Sequence, residues 1–180
     1  MNTRPALAAT ALATVSLAML AGCASAPAPD PTAEAPHCYK TNRGRPVVCT
    51  TVVAPSLNAD AQAKRFEPDA RSLTVFVVRK NWGDTRHLIS LFVDGRAPIE
   101  TVPESLVRLR LKPGQHSLSF EFEGQRQELG VSGGAGEVRF VRIEGSVWAW
   151  GSNYGWASEQ AADARARALN ARLVADIRLD

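Results

Sequence analysis

From residue 73 to residue 143 the chain is written in short alternating runs, and that period limits its fold more than any other feature. Residues 73–79 (Leu-Thr-Val-Phe-Val-Val-Arg) are almost continuously apolar, the pattern of a central strand covered on both faces. A second run, residues 88–93, ends on Asp94-Gly95, a strong hairpin-turn pair. In residues 106–111, Val107, Leu109 and Leu111 share one face while Arg108 and Arg110 take the other. Lys112-Pro113-Gly114-Gln115 suits a type II turn and predicts a return strand in which Leu118, Phe120 and Phe122 alternate with Ser117, Ser119 and Glu121. Gly124 marks another turn before residues 127–131. The cluster Ser132-Gly133-Gly134-Ala135-Gly136 then predicts a further hairpin into residues 138–143, since it lacks the Gly-Lys-Ser/Thr ending of a phosphate-binding loop. After Trp156 the period changes. Ser158 can cap a helix through the alanine-rich stretch to residue 168 or 169, with acidic residues early and Arg165 and Arg167 late, as the helix dipole favours. Asn170 ends it, and residues 172–179 read as a short extended segment, although Leu169, Leu173 and Ile177 also have helical spacing. The expected fold is mainly β: an antiparallel β-sandwich-like domain with one C-terminal helix.

The N-terminus follows different rules. Arg4 precedes a run from Ala6 to Ala21 that is apolar or small except for Thr10, Thr14 and Ser16. Sixteen residues fall short of the ~20 that a helix needs to span a bilayer, so residues 1–22 read as a secretory signal peptide rather than a membrane span. The end of this segment, Leu20-Ala21-Gly22-Cys23, resembles the lipobox of bacterial lipoproteins. That resemblance implies acylation (palmitate) of Cys23 and cleavage before it. Ala24 follows where an Asp would signal retention in the inner membrane, which implies an anchor on the periplasmic face of the outer membrane of a Gram-negative bacterium. Each buried CH₂ contributes ~0.8 kcal/mol, so two or three acyl chains give a lasting hold on the lipid bilayer.

Residues 23–36 carry the anchor and a linker. Nine of the 13 residues after Cys23 are Ala or Pro, with no large apolar side chain to bury. In polyproline II such a linker reaches up to ~40 Å. The globular domain is expected over residues 37–180, long enough for a real core. With Cys23 acylated, Cys38 and Cys49 remain in an oxidising compartment, on either side of the turn-like Asn42-Arg43-Gly44. A disulfide across a hairpin is the expectation. A metal site from His37, Cys38 and Cys49 is the alternative, without a fourth ligand at useful spacing because His87 and His116 stand alone in strand-like segments. Free or redox-active thiols are the third possibility.

Several motifs together resemble a known group. Ala63-Lys64-Arg65-Phe66-Glu67-Pro68 leads into residues 73–79, followed by Leu91-Phe92-Val93-Asp94-Gly95 and by Val107-Arg108-Leu109 with Lys112-Pro113-Gly114-Gln115-His116-Ser117-Leu118. This order is similar to bacterial lipoproteins that carry a domain of unknown function, and the Asp-Gly and Pro-Gly-x-His segments resemble PEGA-type β-sandwich repeats. The resemblance covers about residues 60–145. It implies fold and location, and it brings no catalytic residues with it. The cysteine segment (37–53) and the segment 147–156 depart from the pattern. His116, first after the Pro-Gly turn, is expected to hydrogen-bond locally.

Chemistry is sparse elsewhere. A formal charge of +3 on 180 residues gives no electrostatic basis for nucleic acid as a partner. No Gly-x-Ser-x-Gly elbow is present, and Asp94 and Glu100 fall in turns with no partner spacing that argues acid/base work, so no catalytic residue, metal or cofactor is expected and the chain does not read as an enzyme. The anomaly is aromatic: Trp148, Trp150, Tyr154 and Trp156 lie within nine residues. Trp148 and Trp150 are expected on one strand face, with a turn at Gly151-Ser152-Asn153 bringing Tyr154 and Trp156 near. Such a cluster serves as a core edge beneath a helix, as a contact for an envelope protein, or as a stacking surface for peptidoglycan or another glycan. Trp82, in the loop after residue 79, is a second candidate contact. The expected role is therefore a lipid-anchored binding or scaffold module, with a glycan-contacting module as the alternative.

Overall fold

A computed structural model describes residues 30–80, 83–157 and 161–179. Thirteen elements are present among them, in three sheets and two helices. A two-stranded hairpin comes first, β1 (Ala35–Lys40) with β2 (Pro46–Ala54), and is followed by helix α1 (Leu57–Ala63). The remaining strands are β3 (Leu73–Arg79), β4 (Ile89–Val93), β5 (Ile99–Thr101), β6 (Ser105–Leu111), β7 (Gly114–Phe122), β8 (Gln125–Gly133), β9 (Val138–Trp148), β10 (Gly151–Trp156) and β11 (Arg172–Leu179), with helix α2 (Ala161–Ala168) before the last. One sheet has the order β10-β9-β3-β6-β11 and the other β5-β4-β7-β8. The mainly β, sandwich-like fold with a C-terminal helix is therefore as expected. Strand β11 settles the ambiguous tail as extended.

Strand β3 is buried at all seven positions, which explains its unbroken apolar run. One face (Leu73, Val75, Val77) meets Val107, Leu109 and Leu111 of β6 and faces Leu91, Leu118 and Phe120 of the second sheet. The other face (Phe76, Val78) lies under the helices with Phe66, Ala63 and Ala168. There Phe66, Phe76 and Phe140 pack with ring centroids 4.9–5.2 Å apart, edge-on or stacked, geometries that aromatic quadrupoles favour. The side chains beneath the helices are thus phenylalanines, not the aromatic cluster of residues 148–156. Both cores draw their fully buried side chains from residues 54–174, so a chain beginning at Asp30 carries the whole fold.

Two expected hairpins are corrected. Pro113-Gly114 and the 132–136 glycine cluster each carry the chain from one sheet to the other. Strand β6 already has β3 on one side and β11 on the other, leaving no free edge for β7. Strand β9 likewise pairs in parallel with β3, Thr74 beside Val138, rather than folding back on β8. The second sheet is antiparallel throughout, while the first is mixed because its two parallel pairings join strands distant in sequence.

Local signals were more faithful. At Asp94-Gly95 both central residues have positive φ (50° and 70°), and Arg96 N–H donates to the Val93 carbonyl, the type I′ turn that this pair favours. Helix α1 lies outside the elements read from the sequence. Ser56 caps it by accepting from Ala59 N–H at 3.3 Å, and Asp60 ties it to β11 by accepting from Leu173 N–H at 2.6 Å. Order also begins before His37: β1 starts at Ala35, and Pro31 accepts from Asn58 N–H at 3.1 Å, which joins the end of the linker to α1. The Ser158 cap lies outside the described residues. Among the described residues no helix is long and apolar enough to cross a membrane.

Candidate functional site

The aromatic cluster falls on the β9–β10 hairpin, and its turn lies two residues earlier than expected. Trp148 pairs with Gly151, leaving Ala149 and Trp150 as the tip, so the turn is not at 151–153 and Trp150 is on no strand face. The pleat then divides the cluster. Tyr154, opposite Gly145, and Trp156, opposite Ile143, face the sandwich interior. Trp148, Gly151, Asn153, Ser146, Gly155 and Glu144 take the outward face. Tyr154 is 4% exposed, whereas Trp148 is 62% and Trp150 93% exposed.

Beneath Tyr154 is a polar site that sequence reasoning missed. Arg79, the last residue of β3, is fully buried and grips the buried Asp84 with two bonds, Nε to Oδ2 and Nη2 to Oδ1, both 2.7 Å. The remaining guanidinium protons reach the carbonyls of Thr101 and His87, each at 2.7 Å. Tyr154 Oη donates to Asp84 Oδ1 at 2.9 Å, and the Arg79 guanidinium lies 5.1 Å from the Tyr154 ring centroid. Burial, and then the Asp84 carboxylate, push the Tyr154 phenol well above its usual range. The approach is close enough to demand glycine at 145: a Cβ there would lie 2.1 Å from the Tyr154 ring and 2.9 Å from Asp84 Cγ. The available signal was a charged residue ending an apolar strand, with an acid five residues on. A fully satisfied buried pair of this kind fixes geometry rather than performing chemistry.

The loop from Gly83 to residue 88 also bonds to the hairpin. Val147 N–H donates to the Gly83 carbonyl at 3.0 Å, and His87 Nε2 lies 3.0 Å from Ser152 Oγ. Along the free edge of β10 runs a polar hollow of about 370 Å³, lined by Gln127, Glu144, Ser146, Asn153, Tyr154 and Trp156. Trp156 packs against Phe120 with ring centroids 5.3 Å apart, and its buried indole N–H finds no acceptor among the described residues. Arg142 reaches the Glu144 carboxylate on the outward face.

The other sequence candidates separate. Cys38 and Cys49 are register partners in β1–β2 and form a disulfide, so neither thiol is available to a metal or to redox chemistry in this state. His37 is half-buried nearby, where burial and then Arg172 lower its pKa. His116 bonds locally, with Nδ1 2.8 Å from Asp94 Oδ2 and Nε2 2.8 Å from the Lys112 carbonyl. Cys23 and Trp82 lie outside the described residues. Among the described residues no group of three or more His, Cys, Asp or Glu could hold a metal ion.

Comparison of the chain with known protein families, curated proteins and solved structures yields no match.

Proposed function

We propose that this chain is a lipoprotein held by acylated Cys23 on the periplasmic face of the outer membrane, and that its β domain is a binding or scaffold module rather than an enzyme. The observation that carries the reading is the β9–β10 tip: two large apolar rings stand in water on a hairpin whose root is held by a buried ion pair. Rings held in place before contact lose little freedom on binding, which is how rigid aromatic anchors contribute affinity. The anchor rests on the Leu20-Ala21-Gly22-Cys23 motif.

A glycan as partner is the second reading, favoured by what surrounds Trp148. Its outward face continues into Ser146, Glu144 and Asn153, while Gly151 and Gly155 leave open space where side chains would stand. A ring beside hydroxyl, carboxylate and amide groups is the chemistry that stacks on and hydrogen-bonds to sugars. Two measurements test these readings. Cys23→Ser should abolish palmitate incorporation and release the protein from the membrane; continued labelling would end the lipoprotein reading. Purified peptidoglycan should sediment the wild-type domain but not a folded Trp148→Ala, Trp150→Ala variant. No sedimentation of wild type would leave a protein partner, sought by crosslinking from the same tip.

A further inference from the structure

We propose that the turn of the β1–β2 hairpin and the loop before β4 form a site for the phosphate of an anionic lipid headgroup, turned toward the membrane that holds the anchor. A shallow hollow of about 640 Å³ lies between these segments, lined by Arg43 and Arg45 from the hairpin and Arg86 from the loop, with Tyr39, Asn42 and Thr85 between them. No Asp or Glu lines it. All three arginines are exposed, and among the described residues none has a carboxylate partner. Elsewhere Arg108 and Arg110 share Asp176, and Arg139 and Arg178 have Glu137 and Asp69. Three guanidinium groups around one hollow repel one another and gain by drawing in an anion. Their planar forks match phosphate oxygens in pairs, while Asn42 and Thr85 add neutral donors.

The leash argues for a membrane rather than a soluble phosphate. Pro31 is tied to α1, so only six residues lie between Cys23 and Asp30, a reach of roughly 25 Å at full extension. Strand β1 then spans six residues, about 20 Å, before the hairpin turn. On the reading that Cys23 is acylated, the leash of roughly 25 Å exceeds the about 20 Å of β1, so it can run back along the strand and let the hollow meet the headgroups. The hollow itself does not depend on that acylation. Because the 83–88 loop also binds the β9–β10 hairpin, the hollow and the tryptophan tip share one end of the domain. A partner of the tip would then be met close to the lipid surface.

The test uses residues 30–180, which carry the whole fold and lack Cys23, so it is independent of palmitate labelling and of peptidoglycan sedimentation. Vesicles of phosphatidylcholine with and without phosphatidylglycerol are sedimented with the domain at low and physiological ionic strength. Binding is expected only with the anionic lipid and should weaken with salt. A triple Arg43→Ala, Arg45→Ala, Arg86→Ala variant should bind on the order of 100-fold more weakly, about five-fold per arginine. A control triple, Arg71→Ala, Arg96→Ala, Arg126→Ala, removes the same charge from exposed positions elsewhere and should lose less than about three-fold. Melting curves establish that each variant is folded. Equal loss in both triples would reduce the effect to net charge and overturn the site. Binding of inorganic phosphate without vesicle binding, or no binding to anionic vesicles, would overturn the membrane assignment.

Discussion

At the root of the β9–β10 hairpin, Tyr154 and Trp156 are packed into the sandwich. A few residues away, at its tip, Trp148 and Trp150 stand in solvent. Composition does not separate these pairs; the pleat and the position of a two-residue turn do. At the root, the Tyr154 phenol has a carboxylate to bond and a guanidinium against its ring, so it serves stability. At the tip, exposed apolar area costs free energy in water and gives nothing back to the fold. One strand pair therefore holds a structural half and a half with no structural reason for its composition. The proposed binding role rests on the second half.

The largest effect should come from breaking the root. Asp84→Ala leaves the buried Arg79 without its counter-charge and should cost about 3–5 kcal/mol, lowering the melting temperature by roughly 10 °C. A loss below about 1 kcal/mol would mean that the root does not hold the hairpin. Gly145→Ala attacks the same place by volume, forcing a methyl group into the Tyr154 ring. Urea unfolding should show about 1–3 kcal/mol of destabilisation.

A partly exposed polar contact gives the comparison its intermediate case. Burial lowers the His116 pKa, but the Asp94 side chain and the Lys112 carbonyl outweigh it and leave the value above the ordinary 6.5. Burial likewise opposes, without reversing, the lowering of Asp94 by His116 and Ser117. The histidine contribution is full below pH 6.5 and is lost as pH rises through the folded value. The aspartate contribution is present above its ordinary 3.8 and is lost as pH falls through its lowered value. Wild type should therefore exceed His116→Ala in melting temperature by more at pH 5.5 than at pH 8; an equal margin would contradict the raised pKa. The smallest stability change belongs to the tip. Trp148→Ala and Trp150→Ala should each shift unfolding by less than about 0.5 kcal/mol while abolishing partner capture. A large loss of stability would move the tip into the structural half and remove its claim to a partner.

Legibility in the sequence followed the range of the interaction. Strand β3, the Asp94-Gly95 turn and the Cys38–Cys49 hairpin are specified by neighbours within a few residues, and each was readable. What alternation cannot encode is the identity of the strand alongside. Pro113-Gly114 has the residues of a hairpin turn, yet it crosses between sheets because β6 already has two neighbours. Arg79 and Asp84 are five residues apart, but their burial depends on Thr101 and Tyr154 arriving from distant strands. The aromatic cluster was legible as an anomaly; its division into inner and outer pairs turned on a two-residue shift of one turn.

Under the proposed attachment through Cys23, the disulfide gains a mechanical meaning. Tension along a leash from the membrane enters at the start of β1, whose partner β2 continues into the body of the domain. A pull there unzips the pair one rung at a time, starting from Ala35 against Ala54. The peel can advance only to Cys38, where the covalent link to Cys49 stops it and passes the force to β2. Envelope deformation would then fray three residues of an edge ribbon and leave both cores intact.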